Sequence, residues 1–300
     1  IFHESRVSYQ MYPILSREEL APKIVRFVVK APDVARKRMP GQFVIVRTHE
    51  HGERIPLSIA DADPDAGTIT LVVQEVGVSS ARINDKQAGE ALLNVVGPLG
   101  KPTEISKLGR VVCIGGGVGI APLYPITKAL REAGNQVVTI LGGRSEVFVL
   151  LRKEMEQVSD ELILCTDDGS LGRKGFVTHM LAPLLDAPDK PDAVFAIGPA
   201  VMMRAVCDLT RKTGVRTVVS LNSLMVDGTG MCGGCRVSVG GQARFVCVDG
   251  PEFDGHEVDF AEMLQRMSMY REFERRAYER FLEQRHRCQL EEQFEKAVKK

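Results

Sequence analysis

The chain has 300 residues, 44% of them hydrophobic, enough for about two domains with buried cores. Lysine plus arginine and aspartate plus glutamate are each 39, so no overall positive field exists to hold nucleic acid or an anionic membrane. No apolar run approaches the roughly 18 residues of a membrane span, the opening IFHESRVSYQ lacks signal-peptide regions, and seven cysteines, an odd number, argue against a disulfide framework; a cytoplasmic protein with thiols or metal ligands is expected.

Residues 1–11 show no clear period and read as an N-terminal extension, with Met11 a candidate natural start. Over 12–106 the signals are short strands, at 24–29, 43–46, 57–60, 68–74 and 91–96, punctuated by Gly41, Gly52, Gly67, Gly77 and Gly89. Closely spaced strands without long helices predict a small antiparallel barrel.

Over 107–222 the texture changes to alternation. Strands are expected at 111–114, 137–141, 161–165, 193–197 and 216–219, with helices at 121–133, 147–158, 176–185 and 200–213. Such alternation predicts a doubly wound parallel sheet with helices on both faces. Its opening stretch, VVCIGGGVGIAPL, runs from a buried-strand signal into Gly115, Gly116, Gly117, Val118 and Gly119 and then into a helical pattern. Glycines there let the backbone approach a ligand, and a helix start suits a pyrophosphate. The alternative is a tight turn that only packs helix on strand, since Ile120 stands where a third glycine of the strict dinucleotide spacing belongs. In an open sheet ligands bind beyond the carboxyl ends of the strands, so 115–119, 142–145, 167–170 and 198–199 should rim one cleft.

Residues 223–260 are glycine-rich and carry DGTGMCGGCRVSVGGQARFVC, with Cys232 and Cys235 at a chelating spacing and Cys247 after a hairpin-like segment that turns at Gly240 and Gly241. Plant-type two-iron clusters use a first cysteine, four residues, a second, two residues, a third, and a distant fourth. Asp227 occupies the first place, so Asp227, Cys232, Cys235 and Cys247 form a candidate ligand set of three sulfurs and one oxygen. Zinc and a redox dithiol are the alternatives; for Asp227 the alternative is a turn cap, with Cys207 or water as the fourth ligand. Cys113, Cys165 and Cys207 sit in strand or helix signals and read as buried small apolar residues. Residues 261–300 form a helical tail, in which Met263, Met267, Tyr270, Phe273, Ala277 and Phe281 recur at three or four, followed by Leu290, Phe294 and Val298; the stripe suits packing on its own protein or docking on another subunit.

GQF at 41–43, IPLSIA at 55–60, GPLG at 97–100, GGGVGIAPL at 115–123 and GP at 198–199 together resemble the ferredoxin–NADP reductase superfamily over about residues 12–222. Within it, TDDGS at 166–170, GFVT at 175–178 and the added cysteine segment are similar to the electron-transfer subunit of two-subunit dihydroorotate dehydrogenase. SLNSLMVDGTGMCGGC and CVDGPEFDGHEVDF are similar to the small subunit of NADH-dependent reduced ferredoxin:NADP oxidoreductase, also known as sulfide dehydrogenase. The resemblance implies FAD on the barrel, with Pro56, Leu57 and Ser58 beside the isoalloxazine ring, Ser58 positioning the flavin, and Gly77, Ser79 and Ser80 near the diphosphate. It places NAD(H), or NADP(H), on the glycine turn, with Arg144, Ser145, Asp168, Gly198 and Pro199 around it. The superfamily's arginine and tyrosine before the serine are here Ile55 and Leu57, with Arg54 left as the diphosphate partner, and Ile197 stands where a cysteine often precedes Gly198.

The expected function is an oxidoreductase subunit that exchanges hydride between NAD(H) and FAD and passes single electrons through a [2Fe–2S] cluster to a large flavin and iron–sulfur subunit of a heterodimer, as in electron bifurcation, with ferredoxin reached through that partner. Alternatives are the electron-transfer subunit of a dihydroorotate or sulfide dehydrogenase, or a regulatory module that binds nucleotide and zinc without turnover.

Overall fold

A computed structural model describes residues 11–298, with side chains through Arg287; residues 1–10 and the side chains of the Leu290, Phe294 and Val298 stripe lie outside the described residues. The first half holds β1 (Tyr12–Ala21), β2 (Ile24–Lys30), α1 (Pro32–Lys37), β3 (Phe43–Arg47), β4 (Ile55–Asp63), β5 (Thr68–Gln74), α2 (Val78–Asn84), β6 (Ala91–Leu92) and β7 (Asn94–Leu99). Its strands pair antiparallel in the order β6-β1-β2-β5-β4-β3-β7. Only Leu93 separates β6 from β7, which lie at opposite edges, so the sheet curls until its edges meet, with Phe27, Val44, Ile59 and Leu71 inside. Strand β1 escapes a periodicity reading because only Ile14 and Ala21 of its ten residues are buried.

The second half adds β8 (Arg110–Gly116), α3 (Ile120–Glu132), β9 (Gln136–Gly143), α4 (Arg152–Gln157), β10 (Glu161–Thr166), β11 (Arg173–Lys174), α5 (Val177–Asp186), β12 (Ala193–Ile197), α6 (Ala200–Arg211) and β13 (Arg216–Ser220). Then follow β14 (Arg236–Val239), β15 (Gln242–Phe245), α7 (Val246–Asp249), β16 (Glu252–Asp254), α8 (Phe260–Ser268) and α9 (Arg271–Val298). The second sheet runs β11-β10-β9-β8-β12-β13-β16, parallel throughout except for β16. Chain order reverses between β8 and β12, and that switch point opens a crevice at the carboxyl ends of both strands.

Two expectations are corrected. The helix expected over 147–158 is a 3-10 turn at Glu146–Phe148 and a short α4, because Val149 and Leu150 both turn into the core and Leu151 takes φ 50. The tail is two helices: Phe260 and Met263 are buried, whereas Met267, Tyr270 and Phe273 of the expected stripe are exposed.

One apolar core joins the parts. Phe43 and Ile45 of the barrel, Val112 and Ile140 of the parallel sheet, Cys235 and Cys247 of the cysteine segment, and Met263 of α8 belong to one buried cluster.

Candidate functional site: a glycine crevice, a barrel strand and a cysteine loop

The glycine turn leaves β8 and becomes one 3-10 turn, Gly117–Gly119, before α3. A Cβ on Gly119 would stand 2.5 Å from the carbonyl oxygen of Ile197 and 2.8 Å from the Cα of Gly198, and one on Gly116 would strike Met202 at the start of α6. The glycines are therefore needed for the turn to press against the end of β12, which brings Gly198 and Pro199 to Gly115–Gly119. Gly117 differs: it has φ +55 and no atom within 4 Å of the Cβ position, so its backbone faces open space.

The next two strand ends are tied to each other. Asp167 and Asp168 donate their amides to the carbonyls of Gly143 and Arg144 at 3.0 and 3.2 Å. The Ser170 hydroxyl donates to Asp168 at 2.7 Å and accepts from the Glu146 amide at 2.8 Å. That hydroxyl, with the Ser170 amide, holds the Asp168 carboxyl below the usual carboxylate range. Arg144, Arg173 and Lys174 are exposed, with Arg173 and Lys174 beside Cys165 and Thr166 in register.

On the barrel, β4 alternates. Ile55 and Leu57 pack on the barrel core, while Ser58 faces outward and is exposed. Further along the outer face, Ala60 is buried with Ile120, Ala121 and Leu123 of α3, and β5 touches the glycine turn. The outward face of β4 thus opens beside the helix that carries the turn. Arg54 is exposed just before β4. Ser80 accepts from the Val76 and Gly77 amides at 2.9 and 3.0 Å, so its hydroxyl shapes the turn before α2; Ser79 donates to Glu53. Nothing lies within 4 Å of a Cβ on Gly77, leaving that turn open above.

The cysteine loop sorts its donors into two pairs. Asp227 accepts from the Thr229 and Cys232 amides, each at 2.9 Å, which keeps its carboxyl below the ordinary range. Cys235 and Cys247 meet with sulfurs 3.2 Å apart, both buried, and the Cys247 amide donates to the Cys235 sulfur at 3.4 Å. They are brought together by the β14–β15 hairpin, whose turn residues Gly240 and Gly241 take φ 58 and 72. Cys232 is exposed, and its sulfur accepts from Gly234 at 3.4 Å. Among the described residues no three His, Cys, Asp or Glu groups converge on one point. Cys207 is buried on α6 against Gly255, and burial pushes its thiol up to about 12, as it does for Cys113; Cys165 rises to about 11.

The loop is seated on the barrel. Gly228 takes φ +76, and a Cβ there would fall 2.7 Å from Ile45 and 3.1 Å from Leu99. A Cβ on Gly100, with φ +77, would fall 2.8 Å from Phe43 and 2.9 Å from Pro251. Ile45 pairs with Pro56 and Phe43 with Ser58, so one strand, about 4.8 Å, separates the loop's seat from β4. Sequence reasoning read these two only as a loop glycine and a motif glycine and missed their contacts, because a glycine that admits a distant segment looks like any turn glycine. It also missed Glu252, which accepts from Thr103 at 2.8 Å between the cysteine segment and the barrel, and whose burial raises its carboxyl to about 7.

A nearly closed antiparallel barrel joined to a parallel nucleotide sheet with a glycine crevice defines the ferredoxin reductase class of oxidoreductase, a fold that takes FAD. The family described as the oxidoreductase NAD-binding domain matches residues 113–208, and that described as the iron–sulfur cluster binding domain of dihydroorotate dehydrogenase B matches residues 222–259. The chain is 49% identical over 269 residues to the dihydroorotate dehydrogenase B (NAD(+)) electron transfer subunit homolog of Thermotoga maritima, spanning 90% of this chain and 95% of the relative. It is 35% identical over 223 residues to the probable subunit of that name from Methanopyrus kandleri, spanning 74% and 82%. A solved structure of NADH-dependent reduced ferredoxin-NADP oxidoreductase, described for flavin-based electron bifurcation, superposes with a TM-score of 0.86 at 47% identity over 92% of this chain and 99% of that one. The chain belongs to the family of dihydroorotate dehydrogenase B electron transfer subunits. It is an oxidoreductase component with a nicotinamide-binding and an iron–sulfur domain.

Proposed function

We propose that this chain exchanges hydride between NAD(H) and FAD and passes electrons singly through a [2Fe–2S] cluster to a large flavin and iron–sulfur subunit, which in turn meets ferredoxin in a bifurcating enzyme of the cytoplasm. The observation that carries the reading is the seat of Gly228 on Ile45, which sets the cysteine loop one strand from β4. When bound, flavin and cluster supply the change from paired to single electron transfer.

The residues fit these groups. Two ligands for each of two irons are what the pairs Asp227 with Cys232 and Cys235 with Cys247 offer, the first held by hydrogen bonding and the second by core packing. The open backbone at Gly117, backed by Gly115, Gly116, Val118 and Gly119 against Gly198 and Pro199, suits a pyrophosphate, while the tied loops of Arg144, Ser145 and Asp168 suit the adenosine end. Ser58 orients the flavin from the outer face of β4, with Pro56 on the same face and Leu57 contributing backbone; Arg54, Gly77 and Ser79 serve the diphosphate, and Ser80 shapes its turn. The domains run 12–106 for FAD, 107–222 for the nucleotide, 223–260 for the cluster and 261–300 for the tail. NAD(H) is the nucleotide, although Arg144, Arg173 and Lys174 supply positive charge on the ribose side.

Beside the cluster loop, Met231 is 89% exposed next to Cys232, and Val226, Met269 and Tyr270 line a hollow by Gly234. Apolar surface at the mouth of an electron carrier supports docking of the large subunit there. Among the described residues no helix is long and apolar enough to cross a membrane.

The test is a visible spectrum with NADH titration. Flavin and iron–sulfur bands that bleach with NADH support the reading, and a colourless zinc protein overturns it. Isolated chain should reduce artificial dyes with NADH but not couple NADH, NADP and ferredoxin, and a strong preference for NADPH would overturn the nucleotide assignment.

A further inference from the structure

Over Arg271 to Arg287 helix α9 is mostly solvated, with Arg275 and Arg276 paired to Glu272 and Glu279 along its outer side. One stripe differs. Tyr278, Phe281 and Arg285, spaced three and four apart, face the barrel. The Tyr278 hydroxyl donates to Glu75 and accepts from Lys23 at 3.0 Å. Arg285 stands 3.7 Å from the other Glu75 oxygen and pairs with Asp85, and the Arg82 guanidinium lies 5.8 Å from the Phe281 ring centre.

Glu75 and Asp85 flank α2. Glu75 ends the approach to the Val76–Ser80 turn, and Asp85 is the residue on which α2 ends. The Glu75 side chain is only 7% exposed, and its amide donates to the Lys23 carbonyl at 2.8 Å. A carboxylate so enclosed needs its partners, because stripping them leaves a desolvated charge that the backbone must move to relieve. Three side chains from β2's approach and from α9 supply them.

We propose that α9 is a clasp that fixes the Val76–Ser80 turn through Glu75, and that Tyr278 and Arg285 are positioning residues for the FAD diphosphate. The inference rests on the reading that this turn holds the diphosphate. It makes the tail part of flavin retention: with the clasp engaged the turn is already ordered, so binding does not have to order it.

The experiment loads full-length protein with FAD and follows its release on dilution by the rise in flavin fluorescence, with the bound-flavin absorption spectrum recorded alongside. Tyr278→Phe and Arg285→Ala should each release FAD several-fold faster and together about tenfold or more. Arg285→Lys should restore release to within about threefold of the wild type, and Arg276→Ala on the solvated side should not change it. Tyr278→Phe removes only a hydroxyl, so it remains informative should the alanine variant fold poorly. Unchanged release in Tyr278→Phe and the double variant, from a wild type that holds FAD, overturns the clasp and leaves the flavin reading intact. A wild type that takes up no FAD overturns both.

Discussion

The glycine crevice and the cysteine loop are built on opposite plans. The crevice is made by absence: Gly119 lacks a side chain so that backbone from the end of β12 can touch the turn, Gly116 so that the Met202 side chain of α6 can, and the flanking β8, β12 and α3 are fixed by buried sheet packing while Gly117 stays open. The loop is made by presence: it carries four candidate donor groups, of which two are buried and touching while Cys232 remains exposed on a turn shaped by Asp227. The crevice is thus already formed without a ligand, whereas a cluster proposed for the loop would have to draw its donors together.

The largest expected effect falls on the loop. Cys247→Ser or Cys235→Ser should remove most bound iron and the paramagnetic resonance signal of the reduced cluster, with the absorption of nucleotide-titrated flavin retained. Asp227→Ala should lose or change that signal while Cys207→Ser should not. An unchanged spectrum in the first with loss in the second would assign the fourth ligand to Cys207. Chelation of iron should likewise speed amide exchange over 227–247 and leave β8 and α3 as slow as before; equal loosening of both regions would erase the contrast.

Next comes the crevice. Gly119→Ala puts a Cβ 2.5 Å from a backbone oxygen that cannot step aside, so stability should fall by about 2–3 kcal/mol and NADH affinity by more than tenfold. Gly117→Ala meets no atom, so its cost in unfolding experiments should be only about 1 kcal/mol for the φ +55 backbone, while calorimetry should still show weakened NADH binding. Normal NADH binding in Gly117→Ala would show that the open backbone is not the pyrophosphate seat.

An effect of similar size falls on Glu252, between the cysteine segment and the barrel, whose carboxyl rises from 4.5 to about 7 because burial disfavours its charge. The folded protein binds this proton more tightly than the unfolded chain, so stability falls as pH rises from about 4.5 to 7 and the penalty is complete above that range. The penalty is on the order of 3 kcal/mol, and Glu252→Gln should remove it, raising the melting temperature at pH 8 with little change at pH 4.5. Identical pH profiles for the two proteins would dismiss Glu252 as a junction group. The smallest effect is Asp33→Ala, which breaks the exposed pair with Arg36 and should cost less than about 0.5 kcal/mol in denaturant titration.

Much of the candidate site's local structure was legible because it depends on local order. A strand running into glycines and then a helix states its own geometry within ten residues, and the two-glycine hairpin turn announces the meeting of Cys235 with Cys247, whereas the close spacing of Cys232 to Cys235 did not bring that third sulfur to them. The barrel was legible as a class, but β1 was not, since eight of its ten residues are at least partly exposed and no period survives. The expected 147–158 helix failed because Val149 and Leu150 satisfy neighbouring parts of the core at once, a demand that helical spacing does not express.

What the sequence determined by itself was therefore the order of the parts and the chemistry of each: barrel, parallel sheet, cysteine segment, helical tail, and the donors and glycines they carry. These follow from backbone preference and donor spacing, which act over a few residues. Tertiary structure alone decided that Gly228 meets Ile45, that Gly100 admits Pro251, and that Tyr278 and Arg285 reach Glu75 some two hundred residues away. Such contacts come from packing complementarity between surfaces distant in the chain, and no local pattern of residues encodes which surface will arrive.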